Sequence, residues 1–295
     1  MNVIINLNKP KGMSSQQAVS RVKKIFGVKK AGHAGTLDPL ATGVLLVCLG
    51  EATKTTRFLM DKEKEYRARI KLGERTDTLD AAGTVIDTRP IPHLSERAIS
   101  EAALRFRGII LQTPPMYSAI KYQGKPLYTL ARKGLVIDRP ERSVAIHDIT
   151  INRVDLPYID LTVSCSKGTY IRTLCDDLGM KLGTVAHVVS LERIRVGTIT
   201  VEQSAQFDQL SPLGDIENQR CPFMYSIDSA LSEMHEIFLS ADDYRKAKNG
   251  VPLSREILPE ITEYPFIRLK SPAKKIFGIG KIENKRIVIE RILNG

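Results

Sequence analysis

Residues 31–45 constrain the fold and the chemistry of this chain more than any other stretch. Three glycines in it let the backbone turn tightly and approach a ligand where a Cβ atom would clash: Gly32, Gly35 and Gly43. The apolar run that follows, at residues 44–49, has the length of a buried strand. His33 and Asp38 are therefore expected on a constrained loop anchored to the core, which is a suitable place to hold a reactive group still.

The Asp38-Pro39 dipeptide has a second interpretation, because Asp as N-cap with Pro at the first helical position is also typical of a helix start. Both interpretations stay open on spacing alone. No Gly-Lys-Ser/Thr follows the glycines, so the loop is not a phosphate cradle of the Walker type. One His and one Asp also supply too few ligands for a metal site. The chemistry left to a single Asp is nucleophilic or acid–base catalysis.

The loop matches the pattern G-H-x-G-x-L-D-P-x-A-x-G, which is long and specific. In this it resembles the catalytic motif of the TruB family, the tRNA pseudouridine synthases that act on uridine 55 in the T-loop. The resemblance implies that Asp38 is the catalytic nucleophile. It also implies that His33 lies at the pocket for the target nucleotide.

A second family motif falls on residues 64–72, where apolar and basic residues alternate cleanly and predict a half-buried strand with a basic outer face. Spacing alone makes Tyr66 an ordinary core tyrosine. Lys64-Glu65-Tyr66, however, is similar to the family's K-x-Y, which implies an active-site tyrosine. A ring at that position could stack on an extruded base, and its hydroxyl could take part in proton transfer.

Residues 166–174 run from the end of a predicted strand into a predicted helix, with Arg172 in the first turn and off the apolar stripe. A cation near outward-pointing helix N–H groups attracts an anion, either a phosphate or a carboxylate. A plain surface arginine is the alternative. K-G-x-Y-I-R is similar to a family motif, which implies that Arg172 pairs with Asp38 and that Tyr170 lies at the substrate. Such a pair would keep the carboxylate ionised when substrate excludes water. Leu191 matches a family leucine that floors the pocket.

A net charge of +11 indicates a polyanionic partner, either nucleic acid or an acidic membrane surface. No apolar stretch approaches the roughly 20 residues that span a bilayer, and no signal segment is present at the N-terminus. We therefore expect a cytoplasmic protein with no membrane role, and a monomer.

Residues 112–142 interleave tyrosines with cations, a pattern that suits base stacking and phosphate neutralisation. A solvated excursion whose tyrosines pack back on the core is the alternative. The segment resembles the family's "thumb", which closes on the T-loop. With Lys9, which belongs to an opening K-P-x-G-x-S similar to the family's first motif, three thumb cations complete the predicted RNA-binding set: Lys121, Lys125 and Arg132.

The resemblance implies an α/β pseudouridine synthase fold, with a large mixed, mostly antiparallel sheet flanked by helices. It covers residues 9–196 and places a catalytic domain at residues 1–235. Short predicted strands at residues 236–295 form a small β-rich module that resembles, more weakly, the PUA-like RNA-binding module of many family members.

The implied reaction is the isomerisation of uridine to pseudouridine at position 55 in the T-loop of tRNA, after the base is flipped out of its stack. It needs no redox or energy source, so no cofactor and no metal are expected. Two other classes of protein remain as alternatives. One is a catalytically silent RNA-binding or chaperone protein. The other is a metal-dependent nuclease built on four carboxylates: Asp77, Asp80, Asp176 and Asp177.

Overall fold

The computed structural model describes residues 1–210, 221–254, 265–283 and 286–293. No helix in these ranges has the length and apolar character that crossing a membrane requires. The helices of the described ranges are α1 (Ser15–Ile25), α2 (Thr56–Met60), α3 (Glu96–Leu104), α4 (Leu127–Ala131), α5 (Ile171–Lys181), α6 (Ile227–Ala230) and α7 (Ala241–Lys248).

The strands of the same ranges are, in chain order, β1 (Val3–Lys9), β2 (Ala31–His33), β3 (Thr42–Leu49), β4 (Lys64–Leu72), β5 (Glu74–Thr76), β6 (Val85–Thr88), β7 (Gly108–Gln112), β8 (Lys121–Tyr122), β9 (Lys125–Pro126), β10 (Arg142–Asp155), β11 (Tyr158–Cys165), β12 (Ala186–Val196), β13 (Ile199–Thr200), β14 (Met224–Ser226), β15 (Glu236–Phe238), β16 (Leu253–Ser254), β17 (Phe266–Lys270), β18 (Ile276–Glu283) and β19 (Arg286–Ile292).

Ten of these strands form one large sheet, in the order β14-β1-β3-β12-β4-β11-β10-β7, with β13 beside β12 and β2 beside β3. The neighbours pair antiparallel except β12 and β3, which run parallel. The predicted α/β class with a large mixed, mostly antiparallel sheet is therefore confirmed.

Strand β4 shows why the sheet has one buried and one solvated face. Its apolar side chains Ala68 and Ile70 are buried in the main core, and Arg67 and Arg69 between them are exposed, because successive residues of a strand point to opposite faces. Helices α1, α3 and α5 contribute apolar residues to the same core. Each fully buried aliphatic side chain contributes about 1.5–3 kcal/mol.

Helix α1 begins where its sequence predicts, at a serine cap. The Ser14 hydroxyl accepts from the Gln17 N–H, and the Gln17 side chain accepts from the Ser14 N–H. Two backbone N–H groups that have no acceptor within the helix are thereby satisfied, in the arrangement called a capping box. The next residue, Ser15, is buried and faces the loop of residues 31–45. The start of α1 is thereby joined to the loop that carries Asp38.

A smaller five-stranded sheet has the order β15-β17-β18-β19-β16. It packs against the catalytic part through a second apolar cluster, in which the rings of Phe58 and Phe266 meet edge to face with centroids 4.9 Å apart. This sheet begins at Glu236, and the division of the chain into two domains at residue 235 stays a prediction. Its assignment as a PUA-like RNA-binding module stays a prediction.

The thumb-like segment, residues 112–142, is the connection between two paired strands. Strand β7 pairs antiparallel with the start of β10, and Gln112 lies opposite Arg142. The short hairpin β8–β9 and helix α4 lie within the connection. One residue of α4, Leu127, is buried, and its N–H donates to the Ile120 carbonyl of the same segment at 2.7 Å.

Candidate active site

The loop that carries Asp38 is held by hydrogen bonds on both sides of that residue. The Ser15 hydroxyl donates to the Leu37 carbonyl at 3.0 Å and accepts from the Leu37 N–H at 2.8 Å. The Gly12 N–H donates to the Pro39 carbonyl at 2.7 Å. No helix begins at Asp38-Pro39, since the chain makes only a bend there before β3. Of the two interpretations of this dipeptide, the structure therefore shows the constrained loop.

Asp38 forms an ion pair with Arg172, whose Nε lies 2.9 Å from the Asp38 Oδ2. Nη1 of the same guanidinium lies 3.5 Å from Asp80 Oδ2. The guanidinium also donates to the carbonyls of Thr78 and Tyr117, at 2.7 Å each. Four groups from three parts of the chain thus surround the Arg172 guanidinium, and Asp38 is one of them.

The burial of Arg172 corrects the expectation that it lies off the buried face of its helix. Its side chain is only 4% exposed, whereas the side chain of Asp38 keeps 33% of its surface exposed. Almost all residues in the first two turns of helix α5 are buried. The stripe of apolar residues in the sequence therefore underestimates how much of the helix is enclosed. The arginine lies beneath, and the carboxylate faces outward from it.

The electrostatics of Asp38 combine opposing effects. Burial raises the pKa of the carboxyl above its ordinary value, the positive charge of Arg172 opposes that rise, and the nearby charge of Asp80 adds to it. Lys9 lowers the pKa further. The carboxyl is therefore surrounded by two cations and one competing anion, which makes its charge sensitive to each of them.

Asp38 opens into a cleft of about 550 Å³. The cleft is lined by five of the residues that the sequence predicts for the site: Asp38, Tyr66, Tyr170, Arg172 and Leu191. Sheet register explains part of this convergence, since Leu191 of β12 lies opposite Ala68 of β4, two residues from Tyr66. The side chains of the thumb-like segment at Ser118 and Ile120 border the same space.

The two cleft tyrosines are enclosed. Burial raises the pKa of the Tyr66 hydroxyl, and Arg193 opposes that rise. Burial also raises the pKa of Tyr170. The Tyr170 backbone is clamped by the Gln112 side chain, which accepts from its N–H at 2.7 Å and donates to its carbonyl at 3.0 Å. Both rings are thus uncharged phenols held in fixed positions, as a stacking surface requires.

Comparison with known proteins identifies the group to which this arrangement belongs. Residues 23–171 match the family model described as TruB family pseudouridylate synthase, N-terminal domain. Residues 172–238 match the model described as tRNA pseudouridylate synthase B C-terminal domain. The chain belongs to the TruB family.

Relatives in this family are similar over nearly the whole chain. The tRNA pseudouridine synthase B of Vibrio campbellii is 42% identical over 99% of this chain and 96% of its own length. The protein of the same name from Coxiella burnetii is 41% identical over 98% of this chain and 94% of its own length. The resemblance of the loop to the TruB motif is thereby confirmed, and the chain is a pseudouridine synthase.

Solved structures give the fold. The chain in "Crystal Structure of a Cbf5-Nop10-Gar1 Complex" matches with a TM-score of 0.76 over 99% of this chain and 85% of that chain, at 23% identity. A second Cbf5 chain, from an archaeal box H/ACA sRNP Nop10–Cbf5 complex, matches with a TM-score of 0.73 at 22% identity. The predicted pseudouridine synthase fold is confirmed.

Lys9, predicted in this TruB chain to contact RNA, is placed elsewhere. It is fully buried, and its ammonium donates to the carbonyls of Pro10 and Met13 at 2.8 and 2.7 Å. Burial lowers the pKa of Lys9 to about 8, against the charge of Asp38. A buried ammonium with backbone partners does not contact a phosphate, so the prediction for Lys9 is wrong. The lysine instead braces the turn beside the Asp38 loop.

His33 does not line the cleft, although the TruB resemblance implies a place at the nucleotide pocket. It lies on β2, opposite Val47 of β3, and its Nδ1 is buried without a hydrogen-bond partner. Burial lowers the pKa of His33, with Arg193 as the second cause. The imidazole is therefore neutral near pH 7.

The thumb-like segment of this TruB chain displays its cations to solvent. Lys121, Lys125 and Arg132 are all exposed, and the Arg132 guanidinium lies over the Tyr128 ring, 5.5 Å from its centroid. The segment is also tied to the site, because the Tyr117 carbonyl accepts from Arg172. Their role in RNA binding stays a prediction.

Two of the four carboxylates weighed for a metal-dependent nuclease, Asp80 and Asp176, are engaged in ion pairs with arginines. Asp80 faces Arg172, and Asp176 accepts from Arg75 at 2.7 Å. Within residues 1–210, 221–254, 265–283 and 286–293, no three metal-ligating side chains gather in one place. The structure gives the nuclease alternative no site.

Two residues of the TruB site escape sequence reasoning. Asp80 was weighed only as a metal ligand, and nothing local shows that it faces Arg172. Arg193 lines the cleft and is 1% exposed. A signal for Arg193 does exist, because it follows Leu191 by two residues and, on strand β12, shares its face.

Proposed function

We propose that this chain isomerises uridine to pseudouridine at position 55 in the T-loop of tRNA. The observation that carries the proposal is the ion pair of Asp38 with the buried Arg172, at the wall of a cleft that Tyr66 and Leu191 also line. The names of its relatives, tRNA pseudouridine synthase B, support tRNA as the substrate.

The target base has to leave its stack before it can enter a cleft of this size. Extrusion of a stacked base costs a few kcal/mol. Aromatic faces can offset this cost by stacking on the flipped base, and Tyr66 and Tyr170 both line the cleft. Exposed thumb cations offset it further by neutralising phosphates.

The chemistry is an isomerisation in which atoms balance without a co-reactant. The bond from the ribose C1′ to N1 of the base breaks, a bond from C1′ to C5 forms, the C5 proton leaves, and N1 gains a proton. Asp38 acts as the nucleophile, on either C1′ or the base ring. Arg172 holds the carboxylate in position and favours its charged form. No oxidation state changes, so we propose no cofactor.

Tyr66 is the proposed path for the C5 proton. Because burial raises the pKa of its hydroxyl, Tyr66 is a neutral phenol before substrate enters. It would therefore act as a relay, accepting the C5 proton while passing its own proton to solvent water in the cleft. Such a relay is helped by positive charge nearby, and Arg193 opposes the effect of burial at this hydroxyl.

The proposal is tested with T-loop hairpins that carry tritium at C5 of a single uridine, either at position 55 or at position 54. Enzyme is added with EDTA, and released tritium is counted. Release from the position-55 substrate alone supports the proposal. Release from position 54 alone would overturn the site. Binding without any release would favour the RNA chaperone alternative, and strand cutting that requires added metal would favour the nuclease.

We expect the single-turnover rate to fall at low pH, with a midpoint above the ordinary pKa range of an aspartate, about 3.5 to 3.9. We call this fall the acid limb of the pH profile. Carboxylate is the reactive form, so the rate falls as the pH drops through a pKa that burial has raised. Asp80 contributes to that rise, and Asp80→Asn should therefore move the limb to lower pH. Rates across a pH series for both proteins check this; a limb that moves to higher pH in the variant would contradict the assignment.

Affinity for tRNA should depend steeply on salt, with part of the slope supplied by the thumb. Replacing Lys121 and Lys125 with Ala should weaken binding and lower the slope of log K against log salt by about 0.7–0.9 per lost phosphate contact. The matched control replaces Arg97 and Arg105 of the α3 region with Ala. Both are exposed, and their replacement removes the same amount of positive charge. Equal slopes for the two double variants would refute the thumb assignment.

We further propose that the protein acts as a monomer in the cytoplasm. The Asp38–Arg172 pair and both cleft tyrosines are supplied by a single chain, which supports the first part. The cytoplasmic assignment rests on tRNA as the proposed substrate. Light scattering during gel filtration, with and without tRNA, measures the mass directly; a dimer in both conditions would overturn the first part.

A further inference from the structure

Arg193 is a buried cation whose guanidinium donates to backbone carbonyls. Its Nε donates to the Val44 carbonyl at 2.7 Å, and its Nη2 donates to the Gly35 carbonyl at 3.1 Å. Nη1 makes a longer contact of 3.4 Å with the Thr36 carbonyl. No carboxylate in the described part of the chain pairs with it. Because burying a charge without a counter-ion is costly, a fold that retains one here has a reason beyond packing.

The carbonyls that Arg193 binds belong to the two ends of the loop that carries Asp38. Gly35 and Thr36 lie just before Leu37 and Asp38, and Val44 lies at the start of β3. One planar guanidinium therefore closes the loop from both sides, which the fork of an arginine can do and the single nitrogen of a lysine cannot.

The backbone of Arg193 is pressed against the same loop. At Gly43, where φ is +95°, an added Cβ would lie 2.3 Å from the Arg193 carbonyl oxygen. Only glycine permits this approach of the two strands at that conformation. Loop and arginine are thus fitted to each other along the main chain as well as through the side chain.

On its other side Arg193 faces Tyr66. The two residues are register partners in the antiparallel pair of β12 with β4. The positive charge of Arg193 lowers the pKa of Tyr66 against the effect of burial, while Cys165 and Asp38 act in the opposite direction. The same charge lowers the pKa values of three other groups around it: Lys9, His33 and Lys64.

We propose that Arg193 is a positioning residue for the isomerisation: its guanidinium fastens the Asp38 loop to the sheet and presents positive charge to the Tyr66 hydroxyl. The inference rests on the proposed function, since it assigns Asp38 and Tyr66 the parts described there. It joins the nucleophile and the proton relay through one side chain.

Two variants separate the two parts of this role. Arg193→Lys keeps the charge and loses the fork, and Arg193→Met loses both. Single-turnover tritium release from the position-55 hairpin is measured across a pH series, together with tRNA affinity. Arg195→Met is the control, because it removes one charge from the same strand at a half-buried residue paired with Glu65.

For Arg193→Met we expect a rate about 100-fold lower near neutral pH, at unchanged tRNA affinity, because a loop misplaced by about 1 Å loses that much. The proton relay should slow as well, because without this positive charge the Tyr66 hydroxyl gives up its proton less readily. Arg193→Lys keeps the charge and should lose less rate than Arg193→Met, and Arg195→Met should match the wild type. In a Tyr66→Phe background, the difference between the Lys and Met variants should disappear, because the relay is already absent.

A Lys variant with the wild-type rate, Lys and Met variants with equal rates, or a difference between them that persists in the Tyr66→Phe background would overturn the inference. The Lys variant supplies donors to the buried carbonyls, so the test stands even if the Met variant does not fold. A wild-type protein that releases no tritium would overturn the proposed function, and this inference with it. If the wild type releases tritium and the Arg193 variants release it at the same rate, the inference about Arg193 is wrong and the proposed function stands.

Discussion

Asp38→Asn should abolish tritium release from the T-loop hairpin, by about 10⁴-fold or more, while tRNA affinity stays near that of the wild type. An amide has nearly the same shape as the carboxylate but lacks the charge and the nucleophilic oxygen. The 2.9 Å contact to Arg172 can persist through the amide oxygen, so the loop is expected to keep its position. The loss would then be one of chemistry and not of folding.

The measurement is a single-turnover assay with enzyme in excess, alongside filter binding of tRNA and thermal unfolding. Asp61→Asn is the matched control: it makes the same change at another carboxylate that borders the cleft, where Asp61 pairs with Lys167 at its half-exposed rim. That variant should release tritium at nearly the wild-type rate. Full activity of Asp38→Asn would remove the nucleophile from the proposal.

The contrast between α1 and Arg172 shows what a sequence of this kind can predict. The cap at Ser14 and the spacing of Val19 and Val22 are local signals, and the observed helix follows them. Strand β4 spans the predicted residues for the same reason, because alternation over nine residues is itself the strand signal. Local periodicity says which face of an element is buried. It does not say what that face meets.

The site residues show the limit of this reasoning. Asp38 and Tyr66 came from family motifs, but their meeting depends on the pairing of β4 with β12 and on a loop that leads into β3. Arg172 escaped the burial prediction because the groups that enclose it, the Thr78 and Tyr117 carbonyls, are distant in the chain. Such contacts are set by tertiary structure, where local patterns carry little information.

The prediction that Lys9 contacts RNA is wrong for a related reason. A lysine beside a turn near the N-terminus reads as a solvated cation, since lysine is almost never fully buried unless paired. Here two carbonyls of the following turn replace its water, and the charge of Asp38 compensates part of its burial. The opening motif therefore supports the loop structurally, and the exposed thumb is left to meet RNA in the proposed function.

Arg172→Met is expected to cost both stability and activity, because it leaves Asp38 and Asp80 facing each other without a cation. Breaking a buried ion pair by removing one partner costs about 3–5 kcal/mol of unfolding free energy. Activity should fall at least about 100-fold, since the nucleophile is no longer held in place. Urea unfolding and single-turnover tritium release measure the two effects separately.

The pH dependence of the Arg172→Met stability loss identifies its cause. Without the guanidinium, burial and the charge of Asp80 raise the folded-state pKa of Asp38 further above its unfolded value. The folded state then binds a proton more tightly than the unfolded state, so the loss should be largest near neutral pH and shrink as the pH falls through the raised pKa of Asp38. Adding Asp80→Asn removes one of the two facing charges and should recover part of the stability, as a double-mutant cycle would show. A loss that is equal at all pH values, with no recovery in the double variant, would mean that Arg172 acts through packing and not through its charge.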